Sequence, residues 1–157
     1  MKYYKILIFS LILLMLQGCG FKVVKQTTYD DVFINEISSS GDKNLNFKIK
    51  NKLQQKSNKN TNNPINLELE TKKVKTIKEK NIKNQVTKYQ LSISATVSLI
   101  VDGNVSKKTF TVQESGDYLV AGRFSKTLSN EKKLIKLLTD NLVVKINKKI
   151  IEITNDL

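Results

Sequence analysis

The single cysteine of the chain, Cys19, follows directly after the most hydrophobic stretch of the sequence. A lone cysteine has no partner for a disulfide within the chain, so its thiol is a buried structural group, a reactive nucleophile or a point of covalent attachment. The apolar stretch runs from Ile6 to Leu16, is interrupted only by Ser10, and is separated from the cysteine by Gln17 and Gly18. The flanking residues therefore decide which chemistry the thiol serves.

Residues 1–18 have the layout of an export signal. Lys2 and Lys5 precede an apolar region of eleven residues, and a small residue, Gly18, stands at the expected cleavage position. A helix needs ~20 apolar residues to cross a bilayer, so this region is too short to remain as a membrane span. The sequence Leu16-Gln17-Gly18-Cys19 resembles the lipobox of bacterial lipoproteins, in which the thiol accepts a diacylglycerol before the leader is cut off.

The lipobox resemblance implies that residues 1–18 are a lipoprotein signal peptide and that residues 19–157 form a single mature domain. Cys19 would carry a covalent diacylglycerol and an N-acyl chain, which together give stable membrane anchoring. Gly20 stands where an aspartate would retain a lipoprotein at the inner membrane, so we expect the outer membrane, periplasmic side. The alternative, a buried free cysteine in an N-terminal helix, is disfavoured because Gly18 and Gly20 would break that helix.

The composition is strongly basic. The chain has 27 Lys and Arg against 14 Asp and Glu, and Arg123 is the one arginine. A basic balance indicates a polyanionic partner. The polyanion present at the outer membrane is lipopolysaccharide, so we expect that partner and no nucleic acid. Lysine and asparagine are also enriched by AT-rich genomes, so part of the charge carries no functional information.

Catalysis and metal binding are poorly supported. The sequence has no histidine, no Gly-rich phosphate loop and no cluster with metal-ligand spacing, and acylation would consume its one thiol. Asp30 and Asp31 are adjacent, and neighbours in an extended segment point to opposite faces. We therefore expect a protein that is not an enzyme, with no metal and no cofactor other than the lipid on Cys19.

The first part of the mature domain predicts a strand and then a helix. Residues 19–31 read as an extended leader into a short strand at residues 32–37. The Ser-Ser-Ser-Gly-Asp sequence that follows is expected to break the chain, and Ser40 or Asp42 to cap a helix. Apolar residues then recur every four positions at Leu45, Ile49 and Leu53, which predicts an amphipathic helix over residues 43–55.

A second strand and a lysine-rich run come after a polar linker. Apolar and polar residues alternate at residues 65–69, as in a half-buried strand. Alternation fails near Val74, which predicts a bulge or a splayed hairpin end. This run supplies the candidate anion-binding residues Lys72, Lys73, Lys75 and Lys78, and the alternative is an ordinary solvated hairpin.

The clearest pattern is a long strand from Tyr89 to Val101 with one apolar and one hydroxyl-rich face. Asp102-Gly103 indicates a tight turn. With a two-residue loop, the odd positions of this strand share a face with the even positions of the next strand, so Phe110 and Val112 join the core. The predicted hydroxyl face is then formed by Ser92, Ser94, Thr96, Ser98, Thr109 and Thr111.

A long C-terminal helix is predicted after a second break in the chain. Ser129 is a plausible N-cap, and Glu131 suits the first turn. An apolar stripe recurs at spacings of three or four from Ile135 to Ile153. The resulting order, β-α-β-β-β-α, predicts an α+β two-layer sandwich in which two helices cover one face of a mainly antiparallel four-stranded sheet.

The lipobox sequence Gly18-Cys19-Gly20-Phe21, the order of elements and the helix entry FSKTLSNEKKLIKLLTDNL (residues 124–142) together resemble the LPS-assembly lipoprotein (LptE) family. The resemblance implies a plug and assembly partner of the outer-membrane β-barrel that exports lipopolysaccharide. A barrel lumen is polar, which suits contact with the hydroxyl face. The resemblance also implies that lipopolysaccharide is the ligand of the lysine run. The alternative is an auxiliary lipoprotein of another envelope lipid-transport or secretion system.

Overall fold

A computed structural model describes residues 33–55, 57, 64–101 and 107–155. Its six elements follow the predicted order and confirm the α+β class. Cys19 and the proposed signal peptide and leader lie outside the described residues. The elements are β1 (Phe33–Gly41), α1 (Lys43–Gln55), β2 (Pro64–Lys80), β3 (Val86–Val101), β4 (Lys107–Leu119) and α2 (Phe124–Asn155).

The four strands form one mixed sheet in the order β1-β2-β3-β4. β1 is parallel to β2, and α1 connects the two, whereas β2, β3 and β4 are antiparallel to their neighbours. Side chains alternate along a strand, so the odd residues of β2 and β3 share a face with the even residues of β4. We call the face against the helices the inner face and the opposite one the open face.

Both helices pack on the inner face and enclose a single hydrophobic core. The predicted α1 helix and its apolar stripe are confirmed, and Lys52 of α1 pairs with Asp140 of α2 at 2.5 Å across the outside of the helical layer. This is the predicted two-layer arrangement. The core is built from Leu45, Ile49 and Leu53 of α1, Leu67 and Leu69 of β2, alternate residues of β3 from Leu91 to Leu99, and Leu138, Leu142, Ile146 and Ile150 of α2.

β1 extends further than predicted. The expected end at Ile37 is wrong, because residues 38–41 do not break the chain but pair in parallel with residues 68–71 of β2. The turn comes at Gly41, whose φ is +91° and where a Cβ would lie 2.0 Å from the Thr71 carbonyl oxygen. Only glycine fits so close to a backbone. Of the two proposed caps it is Asp42 that caps α1, since its Oδ1 accepts the Leu45 amide at 3.0 Å.

β2 also continues past its predicted end. Pairing with β3 is regular from Ile65 to Ile77, and Val74 lies directly opposite Ser92. The predicted irregularity near Val74 is therefore misplaced, and the register shifts between Ile77 and Lys80 instead. Lysines occupy both inner and open positions of β2, so the sequence shows no alternation there. Backbone pairing with β3 nevertheless keeps this segment in the strand.

The pairing of β3 with β4 is shifted by two residues from the pairing that a two-residue loop would give. Ile100 lies opposite Lys107, whereas a loop of Asp102 and Gly103 alone would place it opposite residue 105. The loop, residues 102–106, lies outside the described residues. An even shift leaves every side chain on its face. The predicted packing of Phe110 and Val112 against the core is therefore confirmed.

α2 begins one and a half turns earlier than predicted. It starts at Phe124, so the N-cap expected at Ser129 is wrong. The start is held by Thr127, whose Oγ1 accepts the Ala121 amide at 2.8 Å. Because Phe124 and Leu128 are exposed, the buried stripe begins only later in the helix and the first turns give no core signal. In the described part of the chain, neither helix has a length and apolarity sufficient to span a membrane.

Candidate binding surfaces

The open face of the sheet carries the predicted hydroxyl rows. All six predicted residues lie on it, because they occupy even positions of β3 and odd positions of β4. Two hydroxyl pairs bridge the strands: Thr96 to Thr111 at 3.0 Å and Ser98 to Thr109 at 2.8 Å. The side-chain amide of Gln113 donates to Ser92 Oγ at 2.8 Å. Neither described helix lies on this face. Ser98 is buried, and the other hydroxyl groups are at least partly exposed, with hydrogen-bonding capacity left over.

A shallow concavity lies on the open face where β1 to β4 run side by side. Its walls combine hydroxyls with one ion pair, formed by Lys107 Nζ and Glu68 Oε2 at 2.5 Å. The remaining polar lining comes from Ser38, Ser39, Ser40, Glu70, Thr96 and Ser98. Such a surface suits a hydrogen-bonding partner that is broad and flat, because few apolar side chains contribute to it.

The four candidate lysines do not form one surface. Lys72 faces the open side of the sheet, opposite Ser94, whereas Lys73 and Lys75 lie opposite the buried Ile93 and Leu91 on the inner side. Alternation along β2 separates them, since neighbours on a strand point to opposite faces. A ligand that contacts all four lysines would have to wrap around the edge of the hairpin.

Three of these lysines are already paired with carboxylates. Lys73 Nζ lies 3.0 Å from Asp42 Oδ2. Lys75 Nζ lies 3.0 Å from Glu131 Oε2, and Lys78 pairs with Asp117. Among the described residues no carboxylate lies within ion-pair distance of Lys72, so it is the most available of the four for an anionic group. The assignment of these lysines to a ligand stays a prediction.

The inner face carries a polar and aromatic cluster that the sequence did not predict. The rings of Tyr89 and Tyr118 stack with centroids 5.6 Å apart. Lys75 Nζ lies 4.3 Å from the Tyr89 centroid and 5.3 Å from that of Tyr118. Tyr118 also donates its hydroxyl hydrogen to Glu131 Oε2 at 2.9 Å. The cluster joins the first half of α2 to the sheet.

The charges in this cluster support one another. Contact with Tyr118, opposed by partial burial and assisted by Glu131, raises the pKa of Lys75. Burial on its own would raise the pKa of Glu131, but hydrogen bonds from Lys75 and Tyr118 outweigh it and lower that pKa. Burial raises the pKa of Tyr118, and its hydrogen bond to Glu131 acts in the same direction. Lys75 and Glu131 therefore remain a charged pair that holds the helix in place.

Within the described residues, no three side chains of His, Cys, Asp or Glu converge as a metal site would require. Cys19, the predicted lipidation site, lies outside the described residues.

Neither a protein-family model nor a curated protein sequence matches this chain. Solved structures do match its fold. An uncharacterized lipoprotein B from Nitrosomonas europaea matches with a TM-score of 0.57 and 10% identity, over 87% of this chain and 93% of that protein. A minor lipoprotein from Acinetobacter baumannii matches with a TM-score of 0.54 and 13% identity, over 78% of this chain and 90% of that protein. At these identities the likeness shows a shared fold.

Proposed function

We propose that this protein is an outer-membrane lipoprotein, anchored on the periplasmic side through the acylated Cys19 after removal of residues 1–18. Two observations support the proposal. The sequence places a single thiol directly after an export signal with a small residue before it. The domain also has the fold of two proteins described as lipoproteins.

We further propose that the protein acts as a plug and assembly partner of the β-barrel that exports lipopolysaccharide. The observation that carries this proposal is the open face. A sheet that buries one side under two helices and leaves hydroxyl groups on the other suits a polar wall, and the lumen of an outer-membrane barrel is polar. Hydrogen bonds rather than apolar packing would then make the contact, which fits the pairs Thr96–Thr111 and Ser98–Thr109.

Arginine at the centre of the open face tests the plug. Ser94→Arg together with Thr111→Arg introduces two long charged side chains where a fitting wall would meet short hydroxyls. Asn141→Arg adds one such side chain on the exposed side of α2 and serves as the control. We expect the double variant to lose copurification of the barrel from solubilised membranes while the control retains it. Full retention by the folded double variant would contradict the proposed contact.

Lysines of β2 would assist delivery of lipopolysaccharide by pairing with its phosphates. Lys72 is the best placed, because Lys73, Lys75 and Lys78 already have carboxylate partners. Lys72→Glu should weaken binding of lipopolysaccharide, and the loss should be larger at low salt than at high salt. Lys48→Glu, on the exposed surface of α1, changes the net charge equally and should leave the affinity unchanged. Equal effects of both variants would indicate a response to net charge alone.

A further inference from the structure

One end of the domain is built differently from the rest. We call it the distal end and define it as everything beyond the cross-strand row of Val74, Ser92 and Ser115, which comprises residues 74–92 and 115–138. The helix belongs to this end up to residue 138, because a Cβ on Gly116 would lie 2.9 Å from Leu134 Cδ1. The chain enters β1 at the opposite end, since Phe33 lies beside Pro64 at the start of β2.

α1 does not reach the distal end. It begins beside β2, where the Asp42 amide donates to the Thr71 carbonyl at 3.2 Å, and it then runs back toward the start of β1. Just after its last turn, Ser57 Oγ accepts the Ile34 amide at 2.8 Å. The inner face of β2 beyond Lys75 therefore has no cover from this helix, and Ile77 on that face is half exposed.

Exposed apolar side chains concentrate at the distal end. Nine large apolar side chains are exposed in the described part of the chain, and seven of them lie here, including Ile82 at full exposure and Phe124 at 82%. Single exposed apolar residues are normal on a protein surface, whereas several at one end of a domain suit contact with a partner. Val74 lies on the open face and Ile77 on the inner face, so the seven surround this end and do not form one flat patch. The seven residues are Val74, Ile77, Ile82, Leu119, Phe124, Leu128 and Leu137.

Positive charge concentrates at the same end. Residues 74–92 and 115–138 carry ten Lys and Arg and three Asp and Glu, whereas the other described residues carry eleven and seven. The first turn of α2 has no acidic residue, and the amino end of a helix adds its own partial positive charge. The distal end therefore combines most of the exposed apolar side chains with the larger excess of basic over acidic residues in the described domain.

Basic and apolar residues alternate at the chain reversals of this end. Lys83 follows Ile82 in the turn between β2 and β3, and Arg123 precedes Phe124 at the start of α2. Leu119 lies close to the same helix start, because its carbonyl accepts the Asn130 side-chain amide at 3.0 Å. Ile82 and Phe124 thus stand at chain reversals, and Leu128 lines only a shallow, open concavity on α2. This arrangement suits a broad surface better than an inserted peptide.

We infer that the distal end docks onto the headgroup layer of a bilayer containing anionic phospholipids. Lysine and arginine beside exposed Phe and Leu are what interfacial segments use, with the apolar side chains entering the headgroup boundary and the cations pairing with phosphates. Lysine suits such a layer because it is a flexible point charge that needs no fixed geometry. Nucleic acid is a poorer fit, because the stacked pair Tyr89–Tyr118 lies on the inner face, where Tyr118 is buried and Lys75 lies over the Tyr89 ring.

Docking at this end would give the chain a second membrane contact, far from the first. β2 has 17 residues and spans roughly 55 Å at ~3.3 Å per residue, so the tip of the distal end lies about that far from the start of β1. A tether at the N-terminal side and a contact at the distal end would together hold the domain to a membrane at two separate points. Two linked contacts hold more firmly than either alone.

The chain contains no tryptophan, so one introduced tryptophan reports on a single position. The Phe124→Trp variant of the full chain is reconstituted into vesicles of phosphatidylcholine with phosphatidylglycerol, and quenching by brominated lipids is measured. The matched control is Phe47→Trp, on α1 outside the distal end, where the parent residue is 68% exposed. Both variants share the same N-terminal segment, so any membrane attachment through it contributes equally.

Docking predicts that bromolipids quench the Phe124→Trp fluorescence at least about twofold more than that of Phe47→Trp, because interfacial side chains enter ~5–10 Å into the headgroup boundary. The excess should disappear in vesicles of phosphatidylcholine alone. It should also fall in 1 M salt, where the screening length shrinks to ~3 Å. Adding Arg123→Glu and Lys126→Glu to the Phe124→Trp chain should remove the excess while the far-UV circular dichroism is unchanged.

Equal quenching of the two tryptophan variants would overturn the inference. So would an excess that persists without anionic lipid, because apolar contact alone would then explain it. A response that requires lipopolysaccharide and is absent with phosphatidylglycerol would also overturn it, and would assign the distal end to ligand binding.

Discussion

The joint between β1, α1 and β2 depends on a buried polar network, and Thr71 lies at its centre. The Thr71 hydroxyl donates to Asn46 Oδ1 at 2.7 Å, and the Asn46 amide donates to the Ser40 carbonyl at 2.8 Å. Thr71 and Asn46 are only 3% and 6% exposed. Water therefore cannot replace a lost partner at this joint, and removal of one hydroxyl should be costly.

Thr71→Val removes the hydroxyl with almost no change in shape. It leaves Asn46 Oδ1 buried without its donor, which costs about 1–3 kcal/mol in the free energy of unfolding. Thr96→Val is the matched control, because it removes the same atom on the same sheet. The Thr96 hydroxyl lies on the open face, where water can satisfy its partner Thr111, so this change should stay within about 0.5 kcal/mol.

Urea unfolding of the purified full chain, followed by circular dichroism, measures both variants. With a slope of about 1–3 kcal/mol per molar urea, a loss of about 2 kcal/mol moves the midpoint by about 1 M. The slope itself should not change, since both variants bury the same surface. If Thr71→Val shifts the midpoint no more than Thr96→Val, the buried network does not stabilise the joint as described.

Three further predictions address the turn, the charged pair and the anchor. Gly41→Ala should destabilise the fold by about 1–3 kcal/mol in the same urea assay. The φ of Gly41 is +91°, and a Cβ there would lie 2.0 Å from the Thr71 carbonyl oxygen, so a side chain has no room. An unchanged midpoint would contradict this. Glu131→Gln should destabilise the protein at pH 7 by at most about 1 kcal/mol, since the pair with Lys75 is partly exposed. Because the pKa of Glu131 is lowered on folding, its contribution is present above the unfolded value of 4.5 and is lost as the pH falls through the folded pKa. The stabilities of the two proteins should therefore converge as the pH falls below the folded pKa, and a difference that persists in acid would refute the pairing. Cys19→Ala should abolish acylation, and an unchanged mass and membrane fractionation of that variant would rule out the proposed anchor.

The strongly alternating segments were predictable because they carry a single period. From Tyr89 to Leu99 apolar and polar residues alternate without interruption, and every buried apolar residue of β3 falls at an expected position, although Ser98 on the hydroxyl-rich face is buried as well. In α1 the four-residue spacing from Leu45 to Leu53 gave both the helix and its buried stripe. Such patterns arise because one side of a strand or helix packs against the core, so they can be identified from the sequence alone.

The element ends were not predictable in the same way. Serines at residues 38–40 usually mark a break, but pairing with β2 keeps them in the strand, and local propensity yields to tertiary contact. The exposed Phe124 and Leu128 gave no sign that α2 had already begun, since helix detection relied on buried residues. Both errors concern the end of an element, where the local sequence indicates one boundary but contacts with residues distant in the sequence determine another.

The same distinction applies to the candidate surfaces. The hydroxyl face was predictable from alternation, even though the loop length differs, because an even shift preserves the faces. Alternation also separates Lys72 from Lys73, but in a dense charge run the lysines at inner and open positions look alike in the sequence. The contact of Glu131 with Tyr118 had no sequence signal, because it depends on where α2 crosses the sheet.

Affinity purification of a C-terminally tagged chain from solubilised outer membranes, with mass spectrometry of the copurifying proteins, tests the proposed function most directly. The plug proposal predicts a large β-barrel in a stoichiometric amount, on which lipopolysaccharide export depends. Recovery of a component of another transport or secretion system, or of no barrel at all, would contradict it.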